Sequence, residues 1–239
     1  MTRPAIIVAH GQPSDPDPQQ SAIMTLAGRV AAHTRRQVTG VTLAKPEALA
    51  QAVAHAPDAM VYPMFMANGW FTSAELPRRL RQCGGQACPI LQPFGTDPTL
   101  AGLCIAKIRD AAEDAGWPIS GVTLLLIAHG SQRARGSAIG TEAMATELRP
   151  YFGRVITAFI EEAPFLADTA KDLGPRAIAL PFFATHAGHT TDDIPDALSA
   201  SGFSGPCLPP IGLVPEVPAL IAAALDRGNA EIALAARDA

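Results

Sequence analysis

LLLIAHG, residues 124–130, restates AIIVAHG, residues 5–11, and sets His129 against His10, 119 positions earlier. The restatement continues downstream. Pro164 in EEAPFLA answers Pro46 in LAKPEAL, and PFFATHAGHTTDDIP (181–195) answers PMFMANGWFTSAELP (63–77), both at an offset of 118. CLPPIG (207–212) then answers CPILQPFG (88–95), with Gly212 and Gly95 117 apart. Matches that hold their order and nearly their spacing through a 239-residue chain mark an internal duplication. The expected organisation is two lobes, 1–118 and 119–239, meeting at the turn residues GWPISG (116–121), each long enough to bury its own core.

Within each copy, short apolar runs alternate with longer stretches of helical period. The second copy offers VTLLLIA (122–128), RVITAFI (154–160), AIALPFF (177–183) and PCLPPIG (206–212) as strands. SAIGTEAMATELRPYF, PFLADTAKDL and TTDDIPDALSAS lie between them with the apolar spacing of surface helices. The first copy repeats the pattern with AIIVAH, VTGVTLA, AMVYPMF and CPILQPF. Strands that are apolar throughout and separated by helices imply buried parallel sheets with right-handed crossovers. The predicted fold is therefore α/β, two Rossmann-like lobes facing each other across a cleft. In such sheets ligands gather outside the carboxyl ends of the strands.

In the second copy, His129 follows the first strand, Glu161 the second, and His186 and His189 the third. Successive strand ends lie side by side, so His129, Glu161 and His189 are expected to converge. Two imidazoles and a carboxylate suit a divalent transition metal, and the same groups accept protons near neutral pH. The first copy keeps His10 but sets Leu43 opposite Glu161 and Phe71 opposite His189. A structural role would be needed in both copies, whereas a chemical site is needed once, so the functional set is assigned to the second. The HGS turn (129–131) adds the backbone amides of Gly130 and Ser131 as anion acceptors, with Arg133 and Arg135 close behind.

Composition removes several alternatives. Apolar residues make up 48% and charged residues 17% of the chain, as in ordinary globular proteins. A net charge of -4 supplies no basic face for nucleic acid. No apolar run reaches the ~18–20 residues of a membrane span, and the start MTRPAIIVAHG lacks the pattern of a secretory signal, so the expectation is a cytoplasmic protein without membrane partners. The chain contains no GxGxxG, GxxxxGK[ST] or GxSxG, which argues against dinucleotide binding, NTP hydrolysis and an α/β-hydrolase elbow. Cys83, Cys88, Cys104 and Cys207 form no CxxC pair and are expected to pack, while Arg78, Arg79 and Arg81 are expected on a solvated face. Two fused lobes make a monomer the simplest assembly.

LLLIAHGS (124–131), AFIEEAP (158–164) and LPFFATHAGHTTDDIP (180–195), together with the duplication, resemble the sirohydrochlorin chelatases, class II tetrapyrrole chelatases, in their long two-lobed form. The resemblance covers nearly the whole chain. It departs from the family at Gln132, where a basic residue often follows HGS, and in the partial motif AHGQPSDPDPQQ (9–20). The resemblance implies ATP-independent insertion of Co²⁺ or Fe²⁺ into sirohydrochlorin, the metal being a substrate and no prosthetic group being required. It implies His129, Glu161 and His189 as metal ligands and catalytic groups. Ser131, Arg133 and Arg135 would then receive the carboxylates of the tetrapyrrole. The rival expectations are a protohaem ferrochelatase and a non-catalytic metal or tetrapyrrole carrier.

Overall fold

The computed structural model describes residues 2–131, 136–171, 173–186 and 189–235, and of His189 and Thr191 the main chain. The first half of the chain forms β1 (Ala5–Ala9), α1 (Pro16–Ala31), β2 (Val38–Thr42), α2 (Ala48–His55) and β3 (Met60–Pro63). A π-helical turn, Phe71–Glu75, then runs into α3 (Leu76–Gln82), and α4 (Leu100–Asp114) follows. The second half repeats the series as β4 (Thr123–Ala128), α5 (Gly136–Leu148), β5 (Arg154–Phe159), α6 (Leu166–Thr169) and β6 (Ala177–Pro181). It ends with a second π-helical turn, His189–Asp193, then α7 (Ile194–Ala200) and α8 (Val217–Ala235).

Two parallel three-stranded sheets result, ordered β2-β1-β3 and β5-β4-β6. Every residue of β1 (AIIVA) and of β6 (AIALP) is buried, as expected of parallel strands covered on both faces. The fourth strand expected in each copy is reduced to one bridge, Val61 to Ile90 and Ala179 to Cys207. Proline explains the loss. Pro89 and Pro93 flank the first bridge, and Pro206, Pro209 and Pro210 surround the second; none can donate the N–H that a ladder needs. The bonds that remain come from the residues between them, such as Leu91 N–H to the Val61 carbonyl and Leu208 N–H to the Ala179 carbonyl, each 2.9 Å.

The chain folds into two compact units, Met1–Asp97 with Pro215–Ala239, and Pro98–Val214. These units do not coincide with the halves 1–118 and 119–239 expected from the repeat. Helix α4, encoded in the first copy, packs against β6 and α5, whereas α8, encoded in the second, packs against α1 and β3. Leu100, Cys104, Ile108 and Ala112 form the buried stripe of α4; Val217, Ile221 and Leu225 form that of α8. Such a stripe requires that a helix be covered but does not specify by which sheet. Cys104 lies inside the α4 stripe, where burial pushes its thiol up to about 12. Cys88 is also buried, while Cys207 is exposed and so departs from the packing role expected of it.

Candidate active site

The second unit places its candidate residues at the carboxyl ends of three adjacent strands. His129 directly follows β4, the central strand; Glu161 lies just beyond the end of β5, and His189 opens the π-helical turn after β6. The turn after β4 requires glycine at position 130, because φ there is +75°. His129 Nδ1 is 2.8 Å from the Gly130 carbonyl oxygen. A carbonyl can only accept, so Nδ1 carries the proton and Nε2 keeps the lone pair that a metal would use. Glu161 Oε2 lies 3.6 Å from Nδ1, and the two side chains are 42% and 46% exposed. The strands are joined at this level by the Glu161 N–H, which donates to the His129 carbonyl at 2.9 Å.

Ser131 N–H donates to Glu162 Oε1 at 2.8 Å, so the amide proposed from sequence for a substrate carboxylate already holds an internal one. His186 is exposed. Arg133 and Arg135 lie outside the described residues, as does the side chain of His189. Among the described residues, no three His, Cys, Asp or Glu side chains gather as a metal-holding group.

The first unit shows where the third position falls. Its π-helical turn opens with Phe71 as the second unit's opens with His189, and the Phe71 ring stands edge-on to His10 with centroids 4.4 Å apart. His10 has the same local hydrogen bond as His129, Nδ1 to the Gly11 carbonyl at 2.6 Å, on a glycine with φ +77°. One correspondence changes. Ala9 pairs with Thr42 and Ala128 with Phe159, so Ala44, and not Leu43, occupies the place of Glu161. The backbone bonds agree, because the Ala44 N–H donates to the His10 carbonyl at 2.9 Å just as Glu161 does to His129. The conclusion that this position has no carboxylate is unchanged.

Sequence reasoning passed over Glu162. Its signal was the doubled acid at 161–162, which the strand register sets against Ala44-Lys45.

A family model described as CbiX matches residues 123–227, a span that includes His129, Glu161, Glu162 and His189. No curated protein matches the chain. Among solved structures, CbiX of denitrifying bacteria, described as the terminal enzyme for siroheme biosynthesis, is 53% identical with a TM-score of 0.88, covering 94% of this chain and 99% of its own. DR2241 from Deinococcus radiodurans, a multi-domain protein with structural similarity to chelatases, is 23% identical with a TM-score of 0.69, covering 94% of this chain and 55% of its own. SirB from Bacillus subtilis, solved with Fe³⁺, is 16% identical with a TM-score of 0.71, covering 95% of each chain. At their low identities the last two show the shared fold alone.

Proposed function

The chain belongs to the CbiX family of chelatases, and on that premise we propose that it inserts a divalent metal, Co²⁺ or Fe²⁺, into sirohydrochlorin without ATP. The coarser activity, placing a metal in a tetrapyrrole, follows from the family; the substrate and the metal are our reading. The observation that carries it is His129, oriented by Nδ1 on the Gly130 carbonyl, beside Glu161 at the end of the central strand pair. The first unit's His10–Phe71 contact supports His189 as the third member, because the two π-helical turns open at corresponding residues.

Insertion requires that the metal lose water and that two pyrrole N–H protons leave. His129 and His189 would bind the ion as neutral imidazoles, and Glu161, half exposed, would accept protons or complete the ligand set. Arg133, Arg135 and Ser131 would receive substrate carboxylates. We read the metal as a substrate and the protein as needing no prosthetic group, nucleic acid or membrane. No helix among the described residues is long and apolar enough to cross a membrane.

The test is an anaerobic assay with sirohydrochlorin and Co²⁺ or Fe²⁺, followed by the change in Soret absorbance. Insertion by the wild type and its loss in His189→Ala are expected. Tight tetrapyrrole binding with no insertion of either metal would assign the protein to the carrier class.

A further inference from the structure

We infer that Glu162 is a positioning residue for this reaction, a carboxylate that clamps the turn bearing His129 before substrate arrives; the role rests on the metal-site reading above. Its Oε1 accepts the Ser131 N–H at 2.8 Å and so joins the turn after β4 to the segment after β5, 31 residues away in sequence. The side chain lies flat on the turn. A Cβ built on Gly130 would stand 2.9 Å from Glu162 Cγ and 3.1 Å from its Oε1, so the glycine admits the carboxylate as well as the positive φ. His129 is then held on three sides. Its carbonyl accepts the N–H of Glu161 at 2.9 Å, its ring Nδ1 donates to Gly130, and the next amide is fixed by Glu162. A bond from N–H to an ionised carboxylate is stronger than one between neutral groups, which suits it to hold an otherwise half-exposed histidine in one orientation.

The first unit supplies the control. There Gly11 lies against Ala44 and Thr42, with an added Cβ falling 2.7 Å from the Cβ of each, and no carboxylate stands on the turn. Lys45, the residue in register with Glu162, pairs instead with Asp17 at 2.5 Å. The clamp is present in the unit that retains the candidate set and missing from the one that has lost it.

Length and charge separate positioning from direct participation. Gln keeps the reach and an accepting oxygen but loses the charge, while Asp keeps the charge and loses the reach. Co²⁺ alone is the probe, titrated anaerobically into the full chain and followed by the visible absorption of the bound ion, with insertion rates measured alongside. Glu162→Ala and Glu162→Asp are expected to weaken Co²⁺ binding and slow insertion about 10–100-fold, the usual cost of removing a group that orients a metal ligand. Glu162→Gln should stay within about 3-fold of wild type, since one hydrogen bond to the amide survives. The reverse ranking, with Asp active and Gln impaired, would overturn positioning in favour of Glu162 as a ligand or proton acceptor. So would Glu162→Ala binding Co²⁺ as wild type does. A wild-type chain that neither binds Co²⁺ nor inserts it would instead remove the metal-site reading, and the role of Glu162 with it. Thermal melts identify any variant that fails to fold; if Ala does, the Gln and Asp pair still decides.

Discussion

The two units carry the same turns at their strand ends and different chemistry on them. In the second, His129 has Glu161 at 3.6 Å and Glu162 clamping the next amide. In the first, His10 meets the ring of Phe71 at 4.4 Å, with Trp70 edge-on to Phe71 at 5.0 Å and Ala44 where a carboxylate would be. What the fold needs has been kept twice: the strand register, the positive-φ glycine after the central strand, the histidine bonded to that glycine's carbonyl, and the π-helical turn. Retention of His10 therefore has a structural explanation. Its hydrogen bond shapes the turn whether or not a metal is ever bound.

The largest effect should come from breaking this asymmetry in the second unit. Glu161→Gln is expected to reduce insertion about 10²–10⁴-fold if it accepts the pyrrole protons, and His129→Ala and His189→Ala to reduce it comparably. His10→Ala should leave the rate within about 3-fold, because the first unit lacks the partners of its histidine. Initial rates of the Soret change under anaerobic conditions give the comparison directly. A His10 variant as impaired as the His189 variant would abolish the distinction between the units.

Where the units agree, matched substitutions should cost alike. A Cβ at Gly95 would lie 2.0 Å from the Met66 carbonyl oxygen, and one at Gly212 would lie 2.0 Å from that of Ala184. Neither backbone can yield cheaply, so Gly95→Ala and Gly212→Ala should each destabilise by about 3–4 kcal/mol. Calorimetry of the two variants is the check. An effect in one only would show that these glycines do not serve the same close approach in the two units.

Much of this was visible in the sequence, for identifiable reasons. Repeat spacing and apolar runs revealed the parallel sheets, and the strand-end rule located His129, Glu161 and the residue pair His10 and Phe71 at corresponding positions. Three features were hidden. A prolyl-rich run such as PCLPPIG is apolar enough to resemble a strand, yet it lacks the donors for a ladder. The exchange of α4 and α8 between units depends on which sheet covers a helix, which an amphipathic stripe does not encode. Equating Leu43 with Glu161 failed by one residue because the offset along the repeat drifts from 119 to 117 between the paired strands, a shift that only hydrogen-bond register resolves.

The basic run at 78–81 lies on the solvated face expected of it, with Arg78 and Arg79 50% and 37% exposed, and its hydrogen bonds also separate the units. Glu75 accepts from Arg78 Nε at 2.9 Å and Arg79 Nε at 2.6 Å, and Arg79 Nη1 reaches the Leu43 carbonyl at 2.5 Å. The second unit has Asp193, Asp196 and Ala197 at the corresponding positions 118 residues later, so it has no arginine there to form this network. These hydrogen bonds lower the Glu75 carboxyl from 4.5 to about 2. A carboxyl depressed on folding stabilises above its unfolded value and loses that contribution as pH falls through the folded one. Glu75→Gln should therefore lower Tm at neutral pH, with the gap from wild type closing between pH 4.5 and about 2. Melts across that range are decisive. A gap that is independent of pH would mean that Glu75 acts through packing and not through its charge.

The smallest effect concerns matched positions on β3 and β6. Tyr62 pairs in register with Ile7, and Leu180 occupies the same place opposite Leu126. The Tyr62 ring is 1% exposed and its hydroxyl is buried without a hydrogen-bond partner among the described residues. Burial and the nearby Asp97 carboxylate both raise its pKa, so the phenol stays neutral and charge brings no compensation. Asp97 itself is engaged by Arg227 at 2.5 Å. A buried hydroxyl with no partner costs about 1–3 kcal/mol of desolvation that an apolar group of the same shape avoids. Tyr62→Phe should therefore raise stability by about 1 kcal/mol, seen as a higher urea midpoint at unchanged m-value. The converse change, Leu180→Tyr, should lower it by burying a hydroxyl in the unit that now has none there. Loss of stability in Tyr62→Phe would show that the hydroxyl is satisfied after all, by a water held between β3 and α8, and would make this face a second place where the units diverged for a polar reason.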